Sequence, residues 1–373
     1  MQRAQEKAIL SDLYKKMVLL AGPRQAGKTT LAKKIATYFP NSLYLNYDRN
    51  EDRRIIHEEA WLPRVELIIL DEINKMEEWK SFLKGVYDTK APHQKILVTG
   101  SARLEIFNQV GDSLAGRFFL HRLLPLSPSE CNQVGVPSSI DRFLERGGFP
   151  EPFLAETELD ANRWRLQYTD SLLRVDVLDF DNIQNVKAIR LIFELLREKV
   201  GSPISLTSLA EDAAISPNTV KKYIEILEAL YIVFRVTPYS NNIARSLLKE
   251  PKIYFFDTGL VKGSEGIIFE NFVAGCLLKH VMGKIDYYAE PYSLNYLQTK
   301  DRQEVDFALI KEGLIEQLIE VKLTNSTLSQ GLRYFQEKYN HPAIQIVKDL
   351  KREKLEHHIP VVQAENYLRK LIL

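Results

Sequence analysis

An α/β fold class is predicted for this chain of 373 residues, and three stretches predict it. An apolar run at 17–21 opens into a glycine loop and then a helix-forming stretch, the strand, loop and helix order of a parallel sheet. A second run, 65–70, ends in Asp71 and Glu72 and is apolar nearly throughout, as a strand buried on both faces is. Near the C-terminus, 304–310 and 318–323 alternate apolar and polar residues, the pattern of half-buried strands.

Length and composition set the frame. At 373 residues the chain exceeds one ordinary core, so two or three domains are expected, and 45% hydrophobic with 27% charged residues describes a soluble globular protein. Fifty Lys and Arg against 49 Asp and Glu leave a net charge of +1, so any nucleic-acid site has to be a local patch. Cys131 and Cys276 have no metal spacing, and the seven histidines form no ligand pair with them. Neither a disulfide framework nor a zinc site is expected. The apolar run near the N-terminus is too short for a signal peptide and no stretch approaches a membrane span, so a cytoplasmic location without a membrane partner is expected.

The glycine loop reads Gly22, Pro23, Arg24, Gln25, Ala26, Gly27, Lys28, Thr29, Thr30 and meets every fixed position of G-x-x-x-x-G-K-[ST]. Gly22 and Gly27 let backbone N–H groups turn inward on phosphates, and the following helix, 28–39, adds the partial positive charge of its N-terminus. Lys28 is expected to reach the β and γ phosphates and Thr29 to ligate Mg²⁺. After a second strand at 43–47, Asp71 is placed to hold the metal through water, and Glu72 to act as general base toward the attacking water. A strand at 95–99 ends near Thr99 and Ser101, either of which is placed to meet the γ phosphate or the water, or simply to form the turn.

Ala115-Gly116-Arg117 and a run at 118–124 precede Pro125-Leu-Ser-Pro-Ser-Glu130. With the P-loop, the Asp-Glu strand and the Thr-Gly-Ser strand, this order resembles AAA+ ATPases, in particular bacterial and archaeal members carrying a C-terminal domain of unassigned role. The resemblance implies ATP rather than GTP with Mg²⁺, and it nominates Arg117 as a finger reaching a neighbouring subunit's nucleotide, hence a homo-oligomer. An ordinary ion pair and an arginine acting within its own subunit are the other readings of Arg117, and Arg103 is its competitor as finger. The same resemblance puts Gly147, Gly148 and Pro150 in a lid turn, with no second sensor arginine assigned.

Residues 205–230 read as a short helix, a tight turn and a longer helix, with Ser216 as N-cap, Pro217 at the first helical position and Val220, Ile224 and Leu227 facing inward. Asn218, Thr219, Lys221, Lys222 and Glu225 then face outward. Strands at 231–237 and 252–256, with a turn through Asn241 and Asn242, complete what looks like a winged helix. From Ser216 to Lys252 six Lys or Arg stand against three Glu, enough for phosphate contacts, so DNA is the expected partner, with packing as the alternative.

In the last stretch Asp306 lies opposite Val305 and Phe307, while Glu320 and Lys322 lie opposite Ile319, Val321 and Leu323, so acid, acid and lysine converge on one side of a hairpin. Glu270 stands among apolar helical neighbours and needs a partner. The set resembles the PD-(D/E)XK nuclease fold. That resemblance implies Glu270, Asp306 and Glu320 as ligands for Mg²⁺ or Mn²⁺, Lys322 as the group stabilising the attacking water or developing charge, Gln330 as an orienting residue, and DNA cleavage or a silent nuclease fold. The expected organisation is an AAA+ core over 1–135, a helical lid over 136–200, a winged helix over 201–260 and a nuclease-like α/β domain over 261–373.

Overall fold

Five of the apolar runs form one parallel sheet: β1 (Met17–Ala21), β2 (Ser42–Asn46), β3 (Leu67–Asp71), β4 (Lys95–Thr99) and β5 (Phe118–Arg122), in spatial order β2-β3-β4-β1-β5. The computed structural model describes residues 2–100, 114–172, 185–240, 250–299, 303–324 and 327–372. Parallel pairing needs crossovers, and helices supply them on both faces. One face buries α1 (Glu6–Leu13) and α2 (Lys28–Ala36) through Ile9, Leu13, Leu31 and Ile35 against Val18, Leu20, Ile69 and Leu97. The other buries α3 (Asn50–His57) and α4 (Trp79–Thr89) through Ile56, Trp79, Leu83 and Val86 against Leu19, Ile68, Leu70 and Val98. Alternate side chains of each strand serve opposite faces, which is why both faces of β1 and β3 are apolar. This is the first of two units, residues 1–125.

The second unit spans residues 126–373. It begins with α5 (Pro128–Val134), α6 (Ile140–Arg146), α7 (Pro150–Leu154), α8 (Glu158–Ser171) and α9 (Val186–Glu198). The Gly147 turn is forced by packing, since a Cβ there would sit 2.1 Å from Asp257 Oδ1, and its φ of 72° is left-handed. Next come α10 (Leu206–Ala213) and α11 (Pro217–Ala229), where the Ser216 side chain accepts from the Thr219 N–H at 3.1 Å, as an N-cap does.

An eight-stranded mixed sheet completes the unit: β6 (Val233–Pro238), β7 (Lys252–Phe255), β8 (Tyr292–Gln298), β9 (Glu304–Lys311), β10 (Leu314–Thr324), β11 (Ala343–Asp349), β12 (Lys354–Glu356) and β13 (Ile359–Gln363). Its order is β12-β13-β11-β10-β9-β8-β6-β7. The antiparallel pair β6 and β7 follows α11, and Thr237 and Pro238 join it to β8 at Asn295 and Tyr296. One sheet therefore runs across residue 260, where a domain boundary was expected. The 24-residue helix α12 (Glu265–Tyr288) packs on β7, β8 and β10. Helix α13 (Gln330–Tyr339) covers Val305, Ala308 and Leu318 with Leu332 and Phe335, and α14 (Ala364–Leu368) closes the chain. Glu130, the acid of the Pro-Leu-Ser-x-x-Glu stretch, is fully buried and ion-paired with Lys279 of α12. Cys131 and Cys276 are both buried and form no disulfide with each other. Among the described residues no helix is long and apolar enough to cross a membrane.

Candidate functional site

The glycine loop leaves β1 at the C-terminal edge of the parallel sheet, the edge where open α/β sheets place ligands. Gly22 has φ 146°, and a Cβ there would lie 2.3 Å from Leu123 O, so no other residue fits the approach of the loop to the chain after β5. Gly27, at φ 94°, is the N-cap of α2 and offers its first N–H groups no side-chain acceptor. N–H groups at a helix N-terminus without a side-chain cap form the cradle a nucleotide phosphate needs. Lys28 is 6% exposed and donates to Gly22 O at 3.0 Å and Pro23 O at 2.7 Å, folded onto its own loop. Arg3 ties the loop from behind, donating to Ala26 O and Leu124 O, both at 2.6 Å.

Asp71, at the end of β3, collects three hydroxyls. Thr29 donates to Oδ2 at 3.0 Å, Tyr44 donates to Oδ2 at 2.5 Å and Thr99 donates to Oδ1. Register explains the grouping, since Asn46 pairs with Asp71 and Asp71 with Thr99 across adjacent strands. Burial and the bond to Asp71 raise the Tyr44 pKa. Glu72 follows in a left-handed conformation, φ 57°, with its N–H on Thr99 O at 2.9 Å. Such a backbone is strained for a non-glycine residue, and strain of this kind gathers at functional sites. Burial raises the Glu72 pKa, while the Lys28 and Lys75 ammonium groups pull it back. The residues present fit a nucleotide with Mg²⁺: Thr29 and Asp71 would hold the metal, and Lys28 with the loop N–H groups would hold the phosphates.

In the second unit, continuing the β9 and β10 register from Phe307 and Ile319 sets Asp306 opposite Glu320, and the Val321 N–H donates to Asp306 Oδ2 at 2.9 Å. Lys322 donates to Glu320 Oε1 at 2.7 Å, and among the described residues the buried Glu320 Oε2 has no hydrogen-bond partner. Glu270 reaches in from α12, where the Tyr254 hydroxyl donates to its Oε1 at 2.7 Å. Lys252 of β7, only 1% exposed, lies between Glu304 at 2.5 Å and Glu270 at 3.9 Å. Burial and then repulsion from Asp306 push Glu270 and Glu320 each up to about 7. Burial also raises Asp306. For Lys252 burial works against the charge, but Glu270, Asp306 and Glu304 outweigh it and the pKa is raised.

Glu270, Asp306 and Glu320, the metal trio expected from the sequence, meet donors of the chain itself. Among the described residues no three His, Cys, Asp or Glu side chains gather as a metal-ligating group, and Lys252 and Tyr254 engage Glu270, the Val321 N–H engages Asp306 and Lys322 engages Glu320. A buried ammonium within ion-pair range of these acids does not fit a divalent ion in their midst.

A family model described as "AAA domain" matches residues 14–132. This part of the chain is an AAA-type P-loop domain. Two further models, described as domains of unknown function (DUF8612 and DUF4143), match residues 138–267 and 265–367. Uncharacterized proteins of Mycobacterium tuberculosis and Mycobacterium bovis are each 30% identical over 252 residues, covering 67% of this chain and 56% of theirs, so the match spans little more than half of those relatives. An uncharacterized protein of Methanocaldococcus jannaschii is 24% identical, covering 94% of this chain and 83% of its own. Among solved structures, a Walker-type ATPase of Pyrococcus abyssi aligns with a TM-score of 0.44 and 12% identity over 72% of this chain and 94% of that one. A RuvB of Thermotoga maritima aligns with a TM-score of 0.33 and 19% identity over 62% and 88%.

Within the AAA domain, Arg117 is bound in its own chain, with Nε and Nη2 on the two Asp88 oxygens at 2.8 and 3.0 Å. Ser101 and Arg103 lie outside the described residues, as do Asn241 and Asn242 of the second unit. On α11, Asn218, Lys221 and Lys222 are exposed, whereas the Thr219 hydroxyl is engaged by Ser216 at 2.8 Å. Gln330 is exposed at the start of α13. Sequence reading missed Arg3, Tyr44, Lys252, Tyr254 and Glu304. An aromatic at alternate register to Asn46 was the available signal for Tyr44, and a lone lysine in the apolar run 252–256 the signal for Lys252.

Proposed function

We propose that the AAA domain hydrolyses ATP and that its nucleotide state controls DNA binding by the second unit, without DNA cleavage. The observation that carries the reading is the Thr29 to Asp71 hydrogen bond of 3.0 Å, which joins the P-loop to the end of β3 beside Glu72. Bound ATP with Mg²⁺ supplies the phosphoanhydride and the Lewis acid. Lys28 swings from its two loop carbonyls to the β and γ phosphates, and Gly22 to Thr30, including Pro23, Arg24, Gln25 and Ala26, line the cradle. Glu72, whose pKa burial raises, takes the proton of the attacking water, and Thr99 holds Asp71 in place. Arg117 leaves Asp88 to reach a neighbouring copy's nucleotide, which makes turnover depend on assembly.

DNA binding is assigned to α11, the second helix of a helix-turn-helix followed by the β6 and β7 hairpin as a wing. Support comes from the exposure of Asn218, Lys221 and Lys222 on one face of that helix. The C-terminal sheet with α12 supports a nuclease-like fold in which Glu270, Asp306, Glu320 and Lys322 hold structure rather than metal. The test is DNA binding by fluorescence anisotropy across a salt series, with and without ATP. Wild type is expected to weaken steeply with salt, Lys221→Ala and Lys222→Ala each to flatten the slope by about one unit, and Lys28→Ala to abolish the ATP dependence. Affinity unchanged by salt and by both lysine substitutions would remove α11 from the interface.

A further inference from the structure

The acid cluster of the second unit carries its own cation. Lys252 is 1% exposed, and a charge buried to that degree persists only where it is paired. Its ammonium meets Glu304 at 2.5 Å and Glu270 at 3.9 Å, and lies 5.3 Å over the Tyr296 ring. Around it one oxygen of each neighbouring acid is engaged, Glu270 Oε1 by the Tyr254 hydroxyl at 2.7 Å, Asp306 Oδ2 by the Val321 N–H at 2.9 Å and Glu320 Oε1 by Lys322 at 2.7 Å. A divalent ion entering here would sit within ion-pair range of an ammonium.

The lysine does not come from the hairpin of β9 and β10 that carries the acids. It comes from β7, the antiparallel partner of β6, and β6 packs on α11. The cluster is thereby a joint between the helix pair and the C-terminal sheet, with β7 pinned through Lys252 and Tyr254 to α12 and β9.

We propose that Lys252 is the resident cation of this cluster, holding Glu270, Glu304 and Asp306 together without a divalent metal and fixing the β6 and β7 hairpin to the C-terminal sheet. Four carboxylates then face two lysines, and the remaining acidity is relieved by the raised pKa of Glu270 and Glu320, each about 7.

The test is a Mn²⁺ titration of the intact, nucleotide-free chain, with free Mn²⁺ followed by electron paramagnetic resonance and the thermal midpoint measured in parallel. Wild type and Lys252→Arg are expected to take up no stoichiometric Mn²⁺. Lys252→Gln is expected to gain a site at least about tenfold tighter than any in wild type, because one positive charge at ion-pair range is worth more than that factor, and to be stabilised by the ion. Recovery of a poorly folded Lys252→Gln on adding Mn²⁺ supports the proposal equally. Stoichiometric uptake by wild type that Asp306→Asn removes overturns it, as does a folded Lys252→Gln without gained affinity. If Lys252→Gln folds at no Mn²⁺ concentration, the wild-type titration decides, uptake overturning the proposal and its absence supporting it.

Discussion

Tyr44 places its hydroxyl 2.5 Å from Asp71 Oδ2, the oxygen that also accepts from Thr29 at 3.0 Å. The tyrosine sits on β2, one strand away from Asp71, with Lys33 over its ring at 4.8 Å, so its ring is held independently of the hydroxyl. Removing the hydroxyl alone leaves the packing and takes away one of the three hydroxyls that orient the carboxylate. Tyr44→Phe is expected to raise the Mg²⁺ concentration for half-maximal ATP turnover by about 10- to 100-fold, the usual cost of losing a group that orients a metal ligand. A Mg²⁺ titration of turnover at saturating ATP measures it, and an unchanged midpoint would make Tyr44 a packing residue only.

Arg117 and Asp88 form a two-point ion pair with side chains 28% and 43% exposed, a geometry that water and salt weaken. In the proposed mechanism the pair occupies the arginine that turnover in an assembly requires. Asp88→Ala is expected to keep or raise ATP turnover at high protein concentration, whereas Arg117→Ala is expected to lower it by about 10³-fold or more. Turnover measured against protein concentration separates the cases. Equal losses in both variants would assign the pair to structure alone.

The parts of the AAA domain that were legible in the sequence are local. Gly22 to Thr30 is one continuous stretch, and Asp71 with Glu72 ends one apolar run, so spacing and burial pattern sufficed. Arg3 was not legible, because its bond to Ala26 O depends on how α1 lies against β1, a packing result. The acid cluster was half legible. Strand alternation placed Asp306, Glu320 and Lys322 together, but Lys252 arrives from 52 positions before Glu304 (304 minus 252), through a hairpin whose docking on β8 rests on Thr237 and Pro238. Without that lysine the acids read as a metal site.

Glu270 and Glu320, each pushed up to about 7, bind protons more tightly in the folded chain than a free glutamate near 4.5 does. The folded state therefore holds more protons than the unfolded one between those values, and stability from this source is fully present below about 4.5 and lost as pH rises through about 7. Replacing either acid by glutamine removes that dependence. Urea unfolding across this pH range is expected to show a smaller loss of stability with rising pH for Glu270→Gln and Glu320→Gln than for wild type, and parallel curves would place the titration elsewhere.

Glu72 offers the most direct test of ATP hydrolysis, because the same substitution separates binding from chemistry. In a single-turnover experiment with radiolabelled ATP and Mg²⁺, wild type is expected to bind and release phosphate, with a rate that falls as pH drops through the raised Glu72 pKa, since only the deprotonated carboxylate accepts the proton. Glu72→Gln is expected to bind ATP as tightly while hydrolysing it at least about 100-fold more slowly, the lower range of a general base's contribution, and Lys28→Ala to lose both. Phosphate release by Glu72→Gln at the wild-type rate would contradict the assignment of Glu72, and its absence from wild type at every protein concentration would contradict hydrolysis itself.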